Sequence, residues 1–266
     1  MNGRIALVTG GSRGIGAATV RALAARGATV IVAARGLEAS ERLVTELRFA
    51  GHSALAVTLD VSSAEGIATG LAEAAEAVDG APIDVLVNNA GIAESAPFHT
   101  GEKLTRRLLE INFHGARRLI EALAPAMIAA GGGAVVNVAS SAGLRGYAYV
   151  SAYCASKFAL VGYSLALADE LAPKHVRVNV VCPHYVETSM LERSIENVIA
   201  KTGRTQAEAR ATFEAMNPGG RLVQPTEVAD AVVELVDGER SGLVVELGGG
   251  QPRFHTPNAP DPRADA

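Results

Sequence analysis

The sequence predicts an α/β fold, a doubly wound parallel sheet of about seven strands held between two layers of helices as a three-layer α/β/α sandwich. Three observations predict it. Short runs that are apolar at nearly every position recur along the 266 residues, segments of helical length separate them, and a glycine-rich turn joins the first run to the first helical segment. Runs apolar at odd and even positions alike suit strands covered on both faces, and the intervening lengths suit right-handed crossovers. Sheets of this kind bind ligands beyond the carboxyl ends of their strands.

Taken in order, RIALVT at 4–9 is the first strand and TGGSRGIG at 9–16 the turn, followed by the helical pattern AATVRALAARG. ATVIVAA at 28–34, SALAVTL at 53–59 and IDVLVN at 83–88 supply the next strands. EKLTRRLLEINFHGARRLIEALAPAMI, with leucines and isoleucines at 104, 108, 111, 119 and 123, reads as one long helix packed on the sheet. AVVNVAS at 134–140, VRVNVV at 176–181 and GLVVEL at 242–247 complete seven strands. The rhythm breaks from about 184 to 220, a polar and helical insertion expected to act as a lid or substrate-binding element. It breaks again after Gly250, where QPRFHTPNAPDPRADA is expected to be an extended or disordered tail. One catalytic domain over 1–250, with a tail over 251–266, is the expected organisation.

Composition bounds the function. A hydrophobic share of 48% with 20% charged residues suits a soluble globular protein, and a net charge of −4 without a basic run argues against a nucleic-acid partner. MNGRIALVTGG is too short and too glycine-broken for a signal peptide or membrane span, so a cytoplasmic setting and no membrane partner are expected. Cys154 and Cys182 are too few for a disulfide framework, the six histidines form no HExxH pair, and no metal is expected.

Glycines let the TGGSRGIG turn bend sharply and approach a ligand, while the helix that follows offers unpaired N–H groups and a positive dipole end to a pyrophosphate. Such turns also arise for steric reasons alone; the position between first strand and helix favours the binding role. Elsewhere SAYCASKF at 151–158 places Tyr153 and Lys157 four apart, hence on one helical face. A phenol titrates near 10, too high for a base near neutrality, and an adjacent ammonium is expected to lower it. Asn112 is a poor mid-helix residue, which calls for a reason.

TGGSRGIG with its TGxxxGxG spacing, NNAG at 88–91, Ser140 and the Tyr153–Lys157 pair together resemble the short-chain dehydrogenase/reductase family, from about residue 4 to residue 250. The resemblance implies a Rossmann-type oxidoreductase that moves a hydride between a nicotinamide cofactor and a carbonyl or secondary alcohol. It implies a catalytic tetrad of Asn112, Ser140, Tyr153 and Lys157, with Asn112 holding a relay water and Lys157 the nicotinamide ribose. Ser140 is chosen over Ser141 because thirteen residues separate it from Tyr153. Cofactor contacts carried over are Gly10, Ser12, Arg13, Gly14, Ile15 and Gly16 in the turn, Asp60 and Val61 at the adenine, Asn88, Ala90 and Gly91 along the adenosine, Tyr153 and Lys157 at the ribose, and Thr188 at the carboxamide. Asp60 could equally cap the helix after Ser62, and NNAG could be a plain Asx turn.

Ala34 stands where NAD-preferring members carry aspartate, and Arg35 and Arg13 can grip a 2′-phosphate, so NADP(H) is favoured over NAD(H). Arg35 could also be a solvated strand-end residue. Segments 30–60, 134–157 and 174–190 look most like bacterial 3-oxoacyl and polyketide ketoreductases, which suggests a β-keto ester, thioester or cyclic ketone. Where most relatives have Pro-Gly, this chain has Pro183-His184; the imidazole either meets a polar substrate or packs. Arg145, Tyr147, Tyr149, Tyr185 and Met190 are further pocket candidates. Helices at 103–130 and 153–172 resemble those that pair in family oligomers, so a homotetramer or homodimer is expected. A cofactor-sensing protein without turnover is the alternative from another class, and a complete tetrad argues against it.

Overall fold

The computed structural model describes residues 1–99 and 101–256. Strands β1 (Ile5–Thr9), β2 (Thr29–Ala34), β3 (Ala54–Thr58), β4 (Val85–Asn88), β5 (Gly133–Val138), β6 (Val176–Pro183), β7 (Val244–Leu247) and β8 (Arg253–His255) form one sheet in the order β3-β2-β1-β4-β5-β6-β7-β8. β1 to β7 run parallel, and β8 lies antiparallel on β7. The order reverses between β1 and β4, so the turns leaving these two strands diverge and open a crevice between them.

The apolar runs are two-sided because both faces are covered. Ala6, Val8, Val30, Val32, Val85 and Val87 pack with Val20 and Leu23 of α1 (Gly14–Ala25), Leu43 and Leu47 of α2 (Leu37–Phe49), and Val232 and Val236 of the carboxyl-terminal helix over Pro225–Asp237. The alternate residues Leu7, Ile31, Leu86, Val135 and Val178 pack with Ile67 of α3 (Ala64–Ala77), with Leu119 and Met127, and with Ala168 and Leu171. Each fully buried Val, Leu or Ile contributes about 1.5–3 kcal/mol, so slipping a strand by one residue would offer no polar face to solvent and gain nothing.

Several expectations need correction. The sheet has eight strands, because Arg253–His255 of the expected tail pair with Val244–Glu246; residues 257–266 lie outside the described residues. The long helix expected over 103–130 is α4 (Glu102–Leu109), a π-helical turn (Glu110–His114) and α5 (Gly115–Ala129), with Pro125 inside α5. Its extra residue per turn falls on Asn112. Ser140 lies two residues past β5 and starts a 3₁₀ turn, Ser141–Gly143. The helix after Ser62 is capped by Ser63, whose hydroxyl accepts from the Gly66 N–H at 2.9 Å. The insertion folds into α7 (Ser189–Thr202) and α8 (Gln206–Met216), the latter with a Thr205–Glu208 capping box. α6 (Ser151–Leu171) and α9 (Pro225–Asp237) complete the helices named here. Among the described residues, no helix is long and apolar enough to cross a membrane.

Candidate active site

The crevice has a glycine wall. Gly10 and Gly14 have φ of +62° and +53°, and a Cβ on Gly16 would lie 2.1 Å from the Gly10 carbonyl oxygen. The bare backbone is therefore required, and α1 begins at Gly14 with neither a capping side chain nor an acidic residue in its first turn. Its first N–H groups and dipole remain available to an anion. The opposite wall is the segment after β4. Thr9 Oγ1 accepts from the N–H groups of Asn89 and Ala90 at 3.0 and 3.1 Å, and Asn89 Nδ2 donates to the carbonyls of Thr9 and Gly10 at 2.9 and 3.2 Å. Thr9 and Asn89 were not among the predicted site residues. Threonine and asparagine at the ends of adjacent strands were the available signal, and its meaning depends on β1 pairing with β4.

The other cofactor candidates divide. Thr188 stands at the N-cap position of α7 without a side-chain capping bond, its hydroxyl donating to the Val186 carbonyl at 3.3 Å, and comes against the turn, its Cγ2 3.3 Å from where a Gly14 Cβ would be. Arg13 and Arg35 are exposed and Ser12 half-buried. Asp60 accepts from the Ser62 N–H at 2.9 Å, and that bond, aided by the nearby Arg35 charge, holds its carboxyl below the usual range despite partial desolvation. Ile15 packs toward the core, Val61 is buried against Gly115, and Asn88 is buried with Nδ2 donating to Asn137 Oδ1 at 2.9 Å. Asn137 in turn donates to Ser164 at 2.8 Å. In this structure Asn88 braces β4 against β5 and α6.

Two of the four predicted catalytic residues, Asn112 and Lys157, come together beside Gly91. A Cβ there would lie 3.1 Å from Asn112 Oδ1 and 3.6 Å from Lys157 Nζ. Asn112 Oδ1 accepts from the Ile92 N–H, and its Nδ2 donates to the Ile92 carbonyl and to Ser156 Oγ, at 2.9, 2.9 and 3.0 Å. The π-helical turn thus ties the β4 loop to α6. Lys157 is buried, donates to the Val138 carbonyl at 3.0 Å, and stands 6.0 Å from the centre of the Tyr153 ring. The Ser140 hydroxyl lies close enough to the Tyr153 phenol to oppose the rise of its pKa. Ser140 Oγ accepts from the Ala142 N–H at 3.1 Å.

The electrostatics differ from the expectation that Lys157 lowers Tyr153. Burial pushes the phenol up to about 12 against the opposing Ser140 bond, and burial brings the ammonium down to about 8. Desolvation is the largest cause of both shifts, and the ammonium donates to the Val138 carbonyl rather than to the phenol. The phenol is therefore protonated at neutral pH and placed to donate. Cys182, also not predicted, is fully buried close to Ser140 and Lys157, and burial raises its thiol to about 12.

His184 resolves in favour of packing. Its Nε2 meets Glu246 Oε1 at 2.8 Å, with the side chain 1% exposed. Tyr147 donates to Ser141 Oγ at 2.9 Å, and Tyr149, with φ of 64°, accepts from the Ala96 N–H at 2.7 Å. The first ties the segment before α6 to the 3₁₀ turn, and the second ties it to the loop after β4. Among the described residues, no cluster of His, Cys, Asp and Glu could hold a metal ion.

A glycine cradle that a single Cβ would fill, an uncapped helix start and a buried lysine beside a serine–tyrosine pair fit a nicotinamide dinucleotide. Together they define a Rossmann-type oxidoreductase. The chain belongs to the short-chain dehydrogenase family, whose model matches residues 4–198. It is 38% identical over 252 residues to cis-4-hydroxycyclohexanecarboxylate dehydrogenase of Sinomonas cyclohexanicum, covering 93% of this chain and 96% of that protein. Among solved structures, a variant of actinorhodin polyketide ketoreductase with NADPH superposes with a TM-score of 0.86 at 36% identity, covering 92% of this chain and 96% of that one. L-sorbose reductase from Gluconobacter frateurii, complexed with NADPH and L-sorbose, gives 0.87 at 27% identity, covering 94% and 96%. The protein is a nicotinamide-dependent oxidoreductase acting between a carbonyl and a secondary alcohol.

Proposed function

We propose that the protein reduces a ketone with NADPH, with Tyr153 as general acid, Ser140 as hydrogen-bond donor to the substrate oxygen, Lys157 as the cation beside them and Asn112 as the residue that maintains proton supply. The observation that carries this reading is the junction of the Ser140 hydroxyl, the Tyr153 phenol and the buried Lys157 ammonium at the edge of the glycine-walled crevice. Bound there, the dinucleotide supplies the hydride. Gly10, Gly14, Gly16 and the start of α1 would hold its pyrophosphate, and Thr188 its carboxamide end. Ser140 and Tyr153 polarise the carbonyl, and Tyr153 yields its proton to the oxygen as charge develops. Lys157 stabilises the phenolate left behind, and the Asn112 side chain keeps the Ile92 backbone and α6 aligned around it.

The preference for NADPH is supported by Arg35, which approaches Asp60 across the end of β2, where Ala34 offers no carboxylate to repel a 2′-phosphate. A ketone on or beside a carbon ring, or a β-keto thioester, is the proposed substrate class. Similarity to a cyclohexane-ring alcohol dehydrogenase and to a polyketide ketoreductase supports it. A cytoplasmic homotetramer or homodimer paired through α5 and α6, with Phe158 46% exposed on α6, is the accompanying proposal. The test is NADPH and NADH oxidation, followed spectrophotometrically, across cyclic ketones and β-keto thioesters. Turnover with NADPH and weaker turnover with NADH is expected; no turnover with any carbonyl while NADPH still binds would overturn the reading.

A further inference from the structure

Glu246 is charged and almost fully buried at 4% exposure, yet the chemistry above does not use it. Three cationic or potentially cationic side chains from separate elements close on its carboxylate. Arg145, from the segment between the 3₁₀ turn and α6, and His184, at the end of β6, meet Oε1; His255, from β8, meets Oε2 at 3.2 Å. With Nε2 of His184 donating, its Nδ1 has no hydrogen-bond partner among the described residues. Burying such a group is costly unless it is paired and hydrogen-bonded, and here the three partners do both, which ties their elements to the sheet edge.

What it holds lies one strand away from the catalytic group. Cys182 and Glu246 are register partners on β6 and β7, so their side chains leave the same face of the sheet. Cys182 is close enough to Ser140, Lys157 and Glu246 for all three to act on its thiol. Arg145 completes the link. Its N–H donates to the Ser141 carbonyl at 3.1 Å, and its own carbonyl accepts from the Cys154 thiol at 3.9 Å. The Arg145 backbone therefore spans the residue after Ser140 and the residue after Tyr153, and its side chain is pinned to the sheet edge.

We propose that Glu246 is a positioning residue for the proposed reduction: through Arg145 it fixes the spacing of Ser140 and Tyr153 against the sheet, with His184 and β8 holding the carboxylate itself. The proposal rests on the ketone-reductase reading. A displacement of about 1 Å in such a pair can cost about 100-fold in rate, so loss of the strut acts on kcat and spares the distant pyrophosphate seat.

The test is a double-mutant cycle on Arg145→Ala and Glu246→Gln, with kcat for ketone reduction, NADPH affinity by fluorescence titration, and amide hydrogen exchange over residues 140–150. Each single variant is expected to lower kcat about tenfold or more, leave NADPH affinity within about twofold, and speed exchange in that segment. The double variant is expected to be no worse than Arg145→Ala alone. Folded variants with kcat within about twofold of the unaltered protein and unchanged exchange overturn the proposal, as do losses that multiply in the double variant. Should Arg145→Ala not fold, Glu246→Gln decides by the same readouts. Absence of turnover in the unaltered protein would overturn the functional reading and this proposal together; turnover there with unaffected variants overturns the proposal alone.

Discussion

Replacing Lys157 with methionine is expected to separate stability from function. Lys157 is 4% exposed, and burial brings its ammonium from 10.5 down to about 8. Between these values the folded protein binds fewer protons than the unfolded chain, so this group's contribution to stability rises with pH across that window and is most unfavourable below about 8. At 1.36 kcal/mol per unit, the full cost of the buried charge is roughly 3 kcal/mol, of which about 2–3 kcal/mol is relieved between pH 7 and pH 10. Methionine keeps most of the length and removes the charge. It also removes the hydrogen bond to the Val138 carbonyl, about 1 kcal/mol, but a neutral amine makes that bond too, so its loss is nearly the same at both pH values. The upward shift of Tyr153 acts only above pH 10. Urea unfolding of the cofactor-free protein and variant at pH 7 and pH 10 measures the effect. The variant is expected to gain about 2–3 kcal/mol on the parent at pH 7 relative to pH 10, while losing turnover. An equal stability gap at the two pH values would refute the buried-charge argument.

Other outcomes follow from the same geometry. Gly16→Ala puts a methyl 2.1 Å from the Gly10 carbonyl oxygen and 2.6 Å from Asn89 Nδ2; an overpacking cost of about 1–3 kcal/mol is expected to weaken NADPH binding about 10- to 100-fold, with the circular dichroism of the fold unchanged. Arg35→Ala is expected to weaken NADPH about tenfold and leave NADH affinity unaltered, measured by fluorescence titration. Because the phenol titrates at about 12, alcohol oxidation, which needs it deprotonated, is expected to accelerate as pH rises from 7 to 9, with no matching rise in ketone reduction; a flat oxidation profile would contradict its role.

β1 to β7 are legible as runs apolar at both parities, since each strand contacts helices on two sides, as Leu7 and Val8 do on opposite faces. Tyr153 and Lys157 are legible because helix geometry alone places them together. β8 is not: three exposed residues between prolines carry no burial pattern, and their pairing depends on the turn at Gly248–Gly250. Nor is the π-helical turn, because the apolar spacing of 104, 108, 111 and 119 fits a continuous helix as well. The fate of His184 depends on Glu246, 62 residues on in the chain, which the sheet order brings alongside. The upward shift of Tyr153 reflects enclosure, which spacing does not encode.

In ketone reduction, hydride is expected to arrive at the carbonyl carbon while Tyr153 protonates the oxygen. Reduction of a cyclic ketone with NADPH deuterated at nicotinamide C4, in the unaltered protein and in Tyr153→Phe, measures both transfers in one experiment. Deuterium on the carbinol carbon is expected with the unaltered protein, and a loss of about 100-fold or more in Tyr153→Phe with NADPH binding retained. Turnover within a few-fold in Tyr153→Phe would exclude the phenol as the proton donor, and product without deuterium from either face of the labelled cofactor would exclude nicotinamide as the hydride source.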